Sequence, residues 1–166
     1  MANFKAGWHI LYTRHQHEKK VRDNLMEQSI NAYLPIKKTR KKIWDRIKYI
    51  ETPLFPSYVF VYLNTIDEYY TGLGLNGVLY YVRSGKEIAR INESLILDIR
   101  LLTEQYTDIE VSTHDFKPGQ RLVIQQGALK GLDCEVVQVN GKGKILIRIH
   151  LLKRNLLFTL DEDRFS

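Results

Sequence analysis

Short apolar runs separated by polar stretches form the pattern of the first hundred residues. The runs at 8–12, 32–36 and 78–82 have the length and composition of β-strands. The segment at 55–63 is apolar or aromatic at nearly every position, which predicts a strand covered on both faces. Pro35 lies inside the second run and favours an edge strand or a bulge there.

Three segments have helical spacing instead. Residues 15–29 carry Val21 and Leu25 four positions apart, which predicts a helix with a core-facing stripe. Residues 67–73 favour a short helix. Asn92 is expected to be the N-cap of a third helix, because a further apolar stripe at helical spacing follows it.

The pattern changes after residue 105. Residues 105–114 show no clear apolar period and are expected to form a linker. Short β-rich runs follow at 122–124, 135–139 and 145–149, and Asn140-Gly141 between the last two is a strong signal for a tight turn. Several short strands close together predict a small barrel.

Basic residues are concentrated near the N-terminus. Residues 1–64 hold 12 Lys and Arg against 5 Asp and Glu, a net charge of +7, whereas 65–112 carry −4 and 113–166 carry +3. Residues 37–48 contain seven basic residues and one acid, which predicts a projecting basic hairpin or a flexible loop. The charge fits a polyanionic partner such as nucleic acid, and it fits a surface that only aids solubility equally well.

Composition narrows the class of protein. The chain has 166 residues, 44% hydrophobic and 27% charged, close to the average of folded globular domains. No apolar run reaches the roughly 18 residues of a transmembrane helix, and the N-terminus lacks a signal-peptide pattern. The single Cys134 cannot form an internal disulfide or build a zinc site alone, so we expect a cytoplasmic protein.

No residue arrangement in the sequence supports catalysis. Residues 72–77 spell GxGxxG, but a helix precedes and a strand follows, the reverse of a dinucleotide site. His15 and His17 have no further ligands nearby, so neither a metal nor a cofactor is expected. Cys134 lies at a strand start and is expected to be a packed residue. We therefore expect a binding protein rather than an enzyme.

Several motifs, in their order along the chain, resemble the NusG family of transcription elongation factors. FPSYVFV at 55–61, NGV at 76–78 and YVRSG at 81–85 resemble motifs of the family's N-terminal domain. FKPGQRLVI at 116–124 and GALKG at 127–131 resemble its KOW motif. The resemblance covers nearly the whole chain.

This resemblance implies an α+β fold with two domains. An N-terminal NusG domain at 6–104, with an antiparallel sheet flanked by helices, would be joined by a linker at 105–114 to a small SH3-like KOW β-barrel at 115–162. The KOW turn would consist of Gly127, Lys130 and Gly131. The density of β-branched residues beyond 116 favours strands in the free protein over the helical hairpin known in some specialised family members.

Proteins of this family bind the clamp helices of the largest RNA polymerase subunit and oppose pausing and termination. By motif position, the polymerase-binding patch here would consist of Phe55, Pro56, Tyr58 and Phe60. Strand periodicity places Tyr58 and Phe60 on one face. The alternative is that all four residues belong to the core.

Specialised members also contact the non-template DNA strand. By motif position those contacts would be Arg14, Lys20 and Asn24, the alternative being a solvated polar helix face. The basic hairpin would contact phosphates without reading sequence, through Lys37, Lys38, Arg40, Lys41 and Lys42.

The residues in the motifs favour a specialised, operon-specific paralogue of the RfaH or UpxY type. We expect the protein to act as a monomer. Its KOW domain would bind a second partner, such as a ribosomal protein or a termination factor. Lys153 stands where the specialised paralogues have Gly. Two alternatives stay open: a general housekeeping NusG-type elongation factor, and a ribosome-associated RNA-binding KOW protein.

Overall fold

The computed structural model describes residues 4–106, 109–125 and 129–159. In chain order, its N-terminal elements are β1 (Gly7–Thr13), α1 (Glu18–Glu27), β2 (Ala32–Tyr33), β3 (Ile36–Ile43), β4 (Arg46–Pro53), β5 (Tyr58–Leu63), α2 (Ile66–Leu73), β6 (Val78–Tyr81), β7 (Arg83–Ser84), β8 (Glu87–Ile88), β9 (Arg90–Ile91) and α3 (Glu93–Gln105). They are followed by β10 (Glu110–Ser112), β11 (Gln120–Val123), β12 (Asp133–Val139), β13 (Lys142–Ile149), a 3-10 helix (His150–Leu152) and β14 (Arg154–Phe158). The described part is a mixed α+β fold, mostly sheet, with three α-helices.

The chain divides into two compact units. One comprises Met1–Ile36 and Glu51–Ile96, and the other comprises Lys37–Ile50 and Leu97–Ser166. The domain limits at 6–104 and 115–162 stay a prediction.

The first sheet is antiparallel throughout and is built around β1. Its order is β2-β5-β1-β6, and β9 pairs with the first half of β1. On one face Leu11 and Val59 pack with Val21 and Leu25 of α1. Phe60, on the opposite face, is also fully buried, so the predicted burial of β5 on both faces is confirmed.

The helices match the predicted ones with small shifts. α1 begins at Glu18 rather than His15, because Gln16 has a φ of 67°, which an α-helix does not allow. Thr65 caps α2 through a side-chain hydrogen bond, and the carbonyl of Asn92 accepts the first bonds of α3, as predicted. None of the described helices is long and apolar enough to cross a lipid bilayer.

The second sheet has the order β10-β14-β13-β12-β11 and is also antiparallel. Asn140 and Gly141 join β12 to β13 with φ values of 53° and 76°, so the predicted tight turn is confirmed. Val137, Leu146 and Leu157 form a core on one face. Within the described ranges no pairing between β10 and β11 closes this sheet, so the predicted closed barrel is not confirmed.

Five of the described strands were not predicted from the sequence: β7, β8, β9, β10 and β14. β7, β8 and β9 have two residues each. β10 lies inside 105–114, the predicted linker, and pairs with β14. The three residues of β10 are too few to show an alternation of apolar and polar positions. β14 lies in an apolar run without such alternation, so the sequence pattern did not identify it as a strand. Lys153, just before β14, has a φ of 52°, a conformation that suits glycine better.

β3 and β4 form a separate two-stranded sheet with mostly exposed side chains. They are joined by a two-residue turn at Trp44 and Asp45. The sequence left a hairpin and a flexible loop as alternatives for this basic segment, and the structure shows the hairpin.

Candidate functional site

Three tyrosines form a continuous row across the first sheet, which we call the tyrosine ladder. Tyr12 of β1 is paired in register with Tyr58 of β5 on one side and with Tyr80 of β6 on the other. The Tyr12 ring centroid lies 5.3 Å from that of Tyr58 and 4.9 Å from that of Tyr80, which is stacked on it. Tyr80 is 52% exposed and the other two are half-buried. The ladder is therefore an accessible aromatic surface.

Strand geometry explains how the aromatic face of β1 becomes accessible at the end where Tyr12 lies. Trp8, Ile10 and Tyr12 alternate onto the same face of β1. Trp8 and Ile10 are buried, whereas Tyr12 is only partly covered. The aromatic face thus passes from core to surface toward the C-terminal end of β1.

The structure changes the predicted aromatic patch. Phe55 is 2% exposed and Phe60 is fully buried, so neither is available to a partner. Phe60 lies on the central strand β5, stacked on Tyr33 and edge-on to Phe55. Pro56 is exposed and Tyr58 half-buried. Of the four predicted residues, these two are therefore the accessible ones.

Sequence reasoning missed Tyr12 and Tyr80 as members of the accessible surface. Each lies in an apolar run that predicts a buried strand. Their exposure depends on the register of β1 with β5 and β6, and that register is a property of the folded sheet. The available signal was the tyrosine itself, because its hydroxyl suits a surface that is wet on one side.

A buried carboxylate holds the turn that presents Pro56 and Tyr58. Glu18 is 3% exposed, and its Oε1 accepts hydrogen bonds from the backbone N–H of Gln16 at 2.9 Å and of Ser57 at 3.2 Å. Ser57 has a φ of 72°, in a turn closed by the bond from the N–H of Tyr58 to the carbonyl of Phe55. Glu18 therefore ties the start of α1 to the turn before β5.

The three predicted DNA-contacting residues belong to the same unit as that turn. Arg14 is exposed, and its backbone N–H donates to the Gly77 carbonyl at 2.8 Å. Gly77 has a φ of 94°, and a Cβ there would lie 2.9 Å from the Cβ of His17, so this close approach requires glycine. Lys20 is exposed and Asn24 half-buried on α1, whose buried residues are Glu18, Val21 and Leu25.

The basic hairpin, residues 37–48, presents its cations to solvent. Of its seven basic residues only Lys37 is half-buried; the exposed ones are Lys38, Arg40, Lys41, Lys42, Arg46 and Lys48. Phosphate binding needs such accessible cations, and it needs no base-reading geometry.

In the predicted KOW segment, Lys130 is exposed and Gly131 has a φ of 91°, whereas Gly127 lies outside the described residues. Arg148 donates to Glu135 at 2.6 Å and to the Phe116 carbonyl at 2.9 Å. This hydrogen bond from Arg148 lowers the pKa of Glu135. The pair therefore fastens the segment before β11 to β13.

Burial raises the pKa of Cys134 to about 11, so its thiol is almost wholly protonated at neutral pH.

The described residues contain no group of three or more His, Cys, Asp and Glu that could hold a metal ion.

The comparisons with known proteins agree on one family. The family model "Transcription termination factor nusG" matches residues 6–100. The chain is 25% identical to the transcription termination/antitermination protein NusG of Lactococcus lactis subsp. lactis, over 97% of this chain and 92% of that protein. It is 26% identical to the protein of the same name from Streptococcus pyogenes serotype M3, over 89% of each.

A solved structure described as domain interaction in Thermotoga maritima NusG has a similar fold. Its TM-score is 0.56 at 20% identity, and the match covers 93% of both chains. The family model itself covers more than half of this chain. We conclude that the chain belongs to the NusG family of transcription termination and antitermination factors.

Proposed function

We propose that this protein binds RNA polymerase and controls pausing and termination as a general NusG-type factor. The observation that carries the proposal is the tyrosine ladder, which lies within the part of the chain that matches the NusG family model. Clustered, accessible tyrosines favour a protein interface, because each buries a large rigid surface and keeps a polar hydroxyl.

The proposed docking partner is the clamp helices of the largest polymerase subunit. Tyr12, Tyr58 and Tyr80, with the exposed Pro56, would form the contact surface, and the buried Phe55 and Phe60 would support it from the core. A factor held there would keep the clamp closed and so oppose pausing. A polymerase partner would place the protein in the cytoplasm.

The general role fits the comparisons better than the operon-specific role that the motif wording favours. The two relatives named above are both called NusG, and each alignment covers at least 89% of both proteins. Neither relative carries the name of a specialised paralogue. We therefore take the general factor as the proposed function.

Nucleic acid is the second proposed partner. Arg14, Lys20 and Asn24 lie in the same unit as the tyrosine ladder and would contact the non-template DNA strand beside the polymerase. The basic hairpin would contact phosphates, since its exposed cations outnumber its acid.

The second sheet is proposed to belong to a KOW domain of the SH3-like type. The five antiparallel strands of this sheet, in the order β10-β14-β13-β12-β11, support this, as does the absence of an α-helix from residues 109–125 and 129–159, the part of this segment that the structure describes. The partner of this domain would be a ribosomal protein or a termination factor, and the whole protein would act as a monomer.

Transcription by purified RNA polymerase from a template with one strong pause site tests the function. The full-length protein should shorten the lifetime of the paused complex and change the yield at a downstream terminator. An unchanged pause lifetime, together with cosedimentation with ribosomal subunits, would instead support the ribosome-associated alternative.

A further inference from the structure

Trp44 occupies the tip of the basic hairpin and is 92% exposed. The chain has one other tryptophan, Trp8, which is 5% exposed. Trp44 is the first residue of the two-residue turn between β3 and β4, and its φ of 59° lies in the left-handed region. A bulky side chain with positive φ is a backbone outlier.

Folding gives no reason for an indole at this position. Glycine or asparagine suits a positive φ at a hairpin turn better than tryptophan does. An almost fully exposed ring gains no stability from burial of apolar area. A residue that neither the turn nor the core favours points to a binding role.

The surroundings of Trp44 show which chemistry the ring would meet. Lys41 and Lys42 precede the turn, Arg46 and Lys48 follow it, and all four are exposed. Successive side chains of a strand point to opposite faces, so cations flank the tip on both faces of the hairpin. Trp44, Arg46 and Lys48 also line an open cavity at the tip, together with Ile43 and Asp45.

We propose that Trp44 stacks on an unpaired nucleic-acid base while the neighbouring Lys and Arg residues bind the adjacent phosphates. An aromatic platform beside cations is the arrangement by which proteins hold single strands without reading sequence. A paired base inside a duplex offers no free ring face, so the hairpin prefers a junction between paired and unpaired strands. The base can belong to DNA or RNA, and the inference rests on the proposed function only in that the hairpin contacts nucleic acid.

Binding of the full-length protein to three labelled probes, without polymerase, tests this. The probes are a blunt DNA duplex, the same duplex with an internal unpaired bubble, and an RNA stem-loop. Trp44→Leu should weaken binding to the probes with unpaired bases by about tenfold or more and leave duplex binding unchanged. The matched control is Tyr49→Leu, which removes another exposed ring (69%) of the same hairpin and should not change the preference.

Tryptophan emission supplies an independent readout. The bubble probe should quench the emission of the wild type, and that quenching should vanish in Trp44→Leu, where the buried Trp8 alone remains. Equal losses on duplex and bubble, no loss, or no binding of the wild type to either unpaired probe would overturn the proposal. A persisting effect on polymerase pausing would then show that the proposed function stands without it. The DNA bubble and the RNA stem-loop together decide which nucleic acid supplies the base.

Discussion

His9 is a buried histidine in β1 with only one of its ring nitrogens bonded. Nδ1 lies 2.9 Å from the Gly7 carbonyl, to which it donates, and Nε2 has no hydrogen-bond partner among the described residues. Burial is the main cause that lowers the pKa of His9, and the positive charge of Arg90 lowers it further. The folded protein therefore keeps this side chain neutral.

The stability of the fold should fall as pH decreases through the titration of His9. Its pKa in the folded state lies below the ordinary value of 6.5, so the unfolded state takes up the proton first. The stabilising contribution is complete above pH 6.5 and declines below it until the folded pKa is passed. His9→Phe removes this titration, and the wild type should lose up to about 1.4 kcal/mol per pH unit relative to the variant.

Urea unfolding of both proteins across mildly acidic pH measures this difference. Other titrating groups are common to the two proteins, so the difference isolates His9. Parallel stability curves would contradict the assigned pKa direction.

The sequence predicted the strand and the face on which Tyr58 and Phe60 lie, but not how exposed each ring is. The FPSYVFV motif located the correct strand, and periodicity placed Phe60 and Tyr58 on one face. How far each ring is buried depends on its position along the strand, because one end of this face is covered and the other is open to solvent. Phe60 is therefore buried in the core, whereas Tyr58 is accessible. Burial along one face depends on distant elements, which no local pattern reports.

Secondary-structure elements with a strong local sequence pattern were predicted correctly, whereas a strand as short as β10 was not. β5, α2 and the Asn140-Gly141 turn follow directly from apolar runs, helical spacing and turn chemistry. Charge predicted that the basic segment projects, because seven cations in twelve residues cannot be buried, but it left a hairpin and a flexible loop as alternatives. β10 could not be predicted, since three residues show no period and its pairing with β14 spans more than forty positions.

The basic hairpin should control how nucleic-acid binding depends on salt. Replacing Lys38, Lys41, Lys42 and Lys48 with Gln should remove roughly three units of the log–log slope, at about 0.7–0.9 per lost phosphate contact. Titrations of a DNA duplex at several salt concentrations measure the slope.

A second quadruple variant controls for net charge alone. It replaces four exposed lysines outside the hairpin, Lys117, Lys130, Lys142 and Lys153, with Gln. If both variants change the slope equally, the hairpin is not the specific phosphate-binding element.

For the whole molecule, the order of motifs carried more information than any one motif. The family of the N-terminal part could be identified because a strand, a helix, a hairpin and an aromatic strand follow one another in the family's order. The family model then matches residues 6–100. The predicted closure of the second sheet into a barrel is not confirmed, and closure would require a pairing between distant chain segments that strand patterns alone do not specify. The general or specialised role likewise depends on partners outside the chain.

The proposed function requires the tyrosine ladder to be the polymerase-binding surface. The most direct test measures the affinity of purified core RNA polymerase for the wild type and for the double variant Tyr12→Ala with Tyr80→Ala. Tyr70→Ala is the matched control, because Tyr70 on α2 is 54% exposed, close to the 52% of Tyr80, and lies outside the ladder. We expect the double variant to lose at least about tenfold in affinity, with an unchanged circular dichroism spectrum, and Tyr70→Ala to bind as the wild type does. Wild-type affinity in the folded double variant would show that the ladder is not the polymerase-binding surface.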